Sequence, residues 1–88
     1  MKNFTEAEKW LNSAREIALR ISNKTRIASN DISFAKLEKE KGNYRKAIAH
    51  LLEADSLLKI TGEKEMGAST NALLGESYYL TNELYKAE

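Results

Sequence analysis

Three observations predict an all-α chain of antiparallel helix hairpins stacked side by side. The first is a recurrence at a distance of 40 residues: Asn3, Phe4, Ala7, Leu11 and Ala14 return as Asn43, Tyr44, Ala47, Leu51 and Ala54. On the same interval Phe34-Ala35 is matched by Leu74-Gly75, Ala28-Ser29 by Ala68-Ser69, Asp31 by Asn71, and Tyr44, Lys46 and Ala47 by Leu84, Lys86 and Ala87. Self-similarity at such a period marks a stack of one repeated unit. The second observation is apolar residues at helical spacing along most of the chain. The third is punctuation. There is no proline to break a helix, while Gly42 and Gly62 offer the left-handed backbone that ends one.

The first helix is expected over residues 4 to 21, with Ala7, Trp10, Leu11, Ala14, Ile17, Ala18 and Ile21 as its inward stripe. Asn3-Phe4-Thr5-Glu6 has the form of a capping box. Ser22-Asn23 supplies a turn where the later copy has Gly62-Glu63. A second helix over 25 to 41 turns Ile27, Ala28, Asp31, Ile32, Phe34, Ala35 and Leu37 inward; Asp31 interrupts that face and is expected to pair with Arg26 or Arg20. Gly42 stops it, Asn43 caps the next, and the third helix over 44 to 60 buries Tyr44, Ala47, Ile48, Leu51, Ala54, Leu57 and Leu58. His50 takes the place that Trp10 holds 40 residues earlier and reads as structural. After Thr61-Gly62 a fourth helix over 64 to 81 uses Met66, Ala68, Ala72, Leu73, Gly75, Tyr78 and Tyr79, and a fifth begins near Glu83. Gly75 in mid-helix costs about 1 kcal/mol against alanine, which a close helix crossing would explain.

Composition removes several classes of function. Without cysteine and with a single histidine, thiolate chemistry, disulfides and a zinc site are not expected, nor is any cofactor. No phosphate-binding glycine loop, nucleophile elbow or convergent set of acid, base and nucleophile is visible, so the chain is not expected to be an enzyme. The lysines and arginines of residues 36 to 46 are interleaved with acids and the pI is about 7.9, which argues against nucleic acid. No apolar run approaches a membrane span or a signal peptide, so a cytoplasmic chain is the default expectation. Residues 1 to 46 carry eleven Lys or Arg against six acids, a charge of +5, and residues 47 to 88 carry three against seven, a charge of −4. That asymmetry suits solvated helix faces, or a homo-oligomer joined basic end to acidic end.

Leu74-Gly75, Tyr78 and Ala87, with Phe34-Ala35, Gly42, Tyr44, Ala47, Leu51 and Ala54 in the preceding unit, resemble the tetratricopeptide repeat, a helix-turn-helix unit. Glu38 stands where Tyr78 suggests an aromatic residue, Asn82 replaces the turn glycine, and the period is 40 where the common form has about 34. The longer period looks like the variant with extended helices. The resemblance implies a short right-handed superhelix in one domain, with a partial repeat over 1–22, a full repeat over 23–62 and a partial repeat over 63–88. It also implies a protein-interaction module of a larger signalling or scaffold protein. Its concave face would set Ser29, Ile32, Lys36 and Lys39 beside Ser69, Ala72, Glu76 and Tyr79 and receive a peptide or helix of a partner; Ile32 and Tyr79 could equally complete the core. The family's carboxylate-clamping version is not matched, because Ile32, Lys36, Ala72 and Glu76 occupy the relevant kind of position. Self-association through exposed repeat ends is the alternative.

Overall fold

The computed structural model describes residues 4–87, with side chains described for 4–82. All four elements among them are helices: α1 (Phe4–Arg20), α2 (Lys24–Glu40), α3 (Tyr44–Thr61) and α4 (Lys64–Ala87). The Asn3 cap expected for α1, and the side chains of Leu84, Lys86 and Ala87, lie outside that description.

Three turns at an interval of 20 residues set the topology. Ser22, Gly42 and Gly62 take positive φ of 53°, 84° and 76°. At the first two, an amide beyond the left-handed residue closes on a carbonyl five residues back: Asn23 N–H donates to Ala18 O at 3.2 Å, and Asn43 N–H to Glu38 O at 2.8 Å. These bonds satisfy carbonyls that a helix end leaves open. The expected Asn43 side-chain cap is absent; Asn43 Nδ2 instead donates to Glu38 Oε2 at 2.8 Å, pinning the turn to the helix before it. Asn23 does cap, its side chain accepting from Arg26 N–H at 3.0 Å.

The interval predicts a further turn at Asn82, and there the expectation fails. α4 runs 24 residues without a break, through Asn82 and the start expected for a fifth helix. Where Glu38 accepts from the turn amide, the position 40 residues on is Tyr78, which has no carboxylate to do so. Thr81 Oγ1 donates to Ser77 O at 2.8 Å within the continuing helix.

α3 lies at the centre, packed on α2 and on α4. Ala47 and Leu51 meet Ala35 and Leu74 in one cluster, while Ala54 and Leu58 meet Ala28 in a second; Ile32 touches both. Alanines let helix axes approach, and leucines fill the space beside them. Burying a leucine such as Leu51, 1% exposed, contributes about 1.5–3 kcal/mol.

The inward stripes expected for α2 and α3 are buried or half-buried, Tyr44 among the half-buried. Those for α1 and α4 need correction. On α1 only Ala18 is buried, and Trp10, Ile17 and Ile21 are 75%, 54% and 54% exposed. On α4, Ala68, Ala72, Gly75, Tyr78 and Tyr79 are exposed, and the buried residues are Thr70, Leu74 and Ser77. A β-carbon added to Gly75 would meet nothing within 4 Å, so no helix crosses there. The reason is shared: each stripe is covered where a helix packs on both sides, and α1 and α4 have a neighbour on one. Thr70 tolerates burial because its hydroxyl donates to Met66 O at 2.8 Å, one turn back.

Candidate functional site

Two regions carry chemistry beyond packing. The first is the surface shared by α2 and α4. Ser29, Lys36, Ser69, Ala72, Glu76 and Tyr79 are all exposed, Tyr79 at 63%, while Ile32 and Lys39 are half-buried. Ile32 is drawn into the core by both clusters; Tyr79 is not. Spacings of three and four set the residues of each helix on one side of it. The two sets meet at Lys39 Nζ, which donates to Glu76 Oε1 at 2.6 Å. A partly exposed pair of this kind is worth about 1 kcal/mol or less, so it orients the two helices more than it holds them. Toward the other end of α2, Thr25 Oγ1 donates to Glu63 Oε1 at 2.5 Å, tying α2 to the turn before α4.

The second region is a polar cluster inside the helix stack. The Asp31 side chain is fully buried, and its Oδ1 accepts from Arg15 Nη1 at 3.0 Å and lies 3.0 Å from His50 Nδ1. Arg15 Nη2 also donates to Glu53 Oε1 at 3.2 Å, so one guanidinium joins α1 to both α2 and α3. The His50 ring stacks on Phe34, centroids 5.0 Å apart and planes 10° from parallel. Next to Asp31, Asn30 Nδ2 donates to Leu11 O at 2.9 Å. Burial pushes the Asp31 carboxyl above the ordinary carboxylate range, against the pull of His50 and Arg15.

The partners of Asp31 are therefore Arg15 and His50, not the expected Arg26 or Arg20. The sequence flagged the carboxylate as an interruption of an apolar face. It gave no sign that residues 16 earlier and 19 later would converge on it, because that depends on how three helices cross. The cluster holds an oriented imidazole and a buried acid but no nucleophile in contact with either among the contacts described. It links α1, α2 and α3 through side chains of all three helices.

Among the described residues no three His, Asp or Glu side chains are placed to hold a metal ion, and no helix is long and apolar enough to cross a membrane. Compared with protein-family models, with curated proteins and with solved structures, the chain matches none.

Proposed function

We propose that this chain is a tetratricopeptide-like repeat module, its hairpins turning as a short right-handed superhelix, that binds a peptide or helix of a partner protein along α2 and α4. In this reading it serves within a larger signalling or scaffold protein. The observation that carries the reading is the α2 and α4 surface itself: small residues Ser29, Ser69 and Ala72, charged Lys36 and Glu76 and the exposed ring of Tyr79, spanned by the Lys39–Glu76 pair. A ring that the core does not use is an anchor point for a partner side chain, with small residues beside it to admit backbone. Both charge signs along the same face suit a ligand fixed by a few polar contacts.

The test is selection of peptides from a displayed random library on the intact chain, followed by calorimetric titration of the best binder. Lys36→Glu and Tyr79→Ala are expected to weaken it tenfold or more each while leaving the helical circular dichroism signal unchanged. Affinity unaltered by both substitutions would reject the assignment of this face.

A further inference from the structure

The 40-residue register allows the two ends of the stack to be compared with its filled interior. Between α1 and α2, the surface around Arg15, Ala18, Ala28 and Asp31 is closed by α3, which seats Ala54 and Leu58 on Ala28 and brings His50 to Asp31. Moved on by 40 residues, those four positions become Asp55, Leu58, Ala68 and Asn71. The same four residues line an open hollow of about 360 Å³ between α3 and α4, where Ala68 and Asn71 are exposed. The hollow therefore has the make-up of a surface that, one repeat earlier, accepts a helix.

The helix it accepts there is α3, and the 40-residue counterpart of α3 is α1. Three α3 residues that face the filled site, His50, Ala54 and Leu57, correspond to Trp10, Ala14 and Ile17. All three counterparts are exposed, Trp10 at 75% and Ile17 at 54%. The polar contact at the centre is also conserved in kind. Asp31 Oδ1 faces His50 Nδ1 at 3.0 Å inside the stack; at the open ends the counterparts are the Asn71 amide, which offers an acceptor oxygen, and the Trp10 indole, which offers an N–H donor. Charge does not oppose the pairing: α1 carries Lys9, Arg15 and Arg20 against Glu6, Glu8 and Glu16, and the hollow is lined by Lys59 and Lys64 against Asp55 and Glu63.

We propose that the hollow between α3 and α4 is a docking site for α1 of a second copy of this chain, with Ala14 seated on Ala68 and the Trp10 N–H donated to Asn71. The contact is head to tail. Each copy presents α1 at one end and the hollow at the other, so copies add in series and do not close as a symmetric pair. It is separate from the peptide-binding surface proposed above and does not depend on it.

Sedimentation velocity of the whole chain, from micromolar to millimolar concentration, tests the idea together with the emission of Trp10, its only tryptophan. Mass is expected to rise with concentration, and the emission to shift to the blue as the indole leaves water. Trp10→Ala and Ala68→Arg change exposed positions and should each weaken association tenfold or more. Mixed together, they should form a one-to-one complex, because the α1 of the Ala68→Arg chain still fits the hollow of the Trp10→Ala chain. A mass that stays monomeric throughout, association that leaves Trp10 emission unchanged, or a pair of variants that fail to complement each other would overturn the proposal.

Discussion

Asp31 has a position that composition alone would forbid: a carboxylate with a fully buried side chain, shared between a guanidinium and an imidazole on different helices. Desolvation dominates its titration and raises it above the ordinary value of 3.8. The folded chain therefore holds the Asp31 proton to higher pH than the unfolded chain does. The stability linked to that proton is fully present below the ordinary value and is lost as pH rises through the raised one. Urea unfolding of the natural chain and of Asp31→Asn, compared at pH values below the histidine range of about 6.5, should show the stability difference moving against the natural chain as pH increases. The asparagine retains an acceptor for Arg15 and His50, and other carboxylates cancel in the comparison. A difference moving the opposite way would mean that pairing with Arg15 and His50 outweighs burial.

The helices show which local signals can be trusted. Turns at Gly42 and Gly62 were legible because left-handed backbone is a local demand that glycine meets cheaply; at Ser22-Asn23 the turn was expected but with asparagine in glycine's place, whereas Ser22 takes the positive φ and Asn23 is the extended cap of α2. The stripes of α2 and α3 were legible because both helices have packed neighbours on two sides. Those of α1 and α4 were not: Ala14 and Ala68 belong to the same repeated pattern as the buried Ala54 and Ala28 yet are exposed. A repeated residue type records what the unit can pack against, and a neighbouring helix decides whether it does. Of the candidate surface, the residues on α2 and α4 were named from the geometry that the family resemblance implies, whereas the Arg15–Asp31–His50 convergence required tertiary geometry that no resemblance supplied. The same substitution should have opposite signs at two glycines. Gly42→Ala, at φ 84°, is expected to lower stability by about 1 kcal/mol or more, and Gly75→Ala, in open helix, to raise it by about 0.5–1 kcal/mol. Thermal denaturation of the two variants decides this, and a destabilising Gly75→Ala would restore the close helix crossing that the structure lacks.

Taken whole, the molecule is a slab with extents of 43 × 30 × 16 Å. The helices pack in chain order, α1 on α2, α2 on α3 and α3 on α4, so every helix depends on the one beside it. α1 is the extreme case. It fully buries Ala18 alone among its described side chains, with Phe4, Ala7 and Leu11 half-buried, and it adds polar links from Arg15 to Asp31 and Glu53, from Leu11 O to Asn30, and from Glu8 to Lys41. Amide exchange should therefore be faster along α1 than along α3, and faster still when salt screens its charged ties; equal protection of the two helices would contradict this. A helix with so little fully buried side chain is expected to lift like a flap before the other three unfold. Because the exposed indole of Trp10 rides on that flap, any molecule that grips it also fastens the flap down.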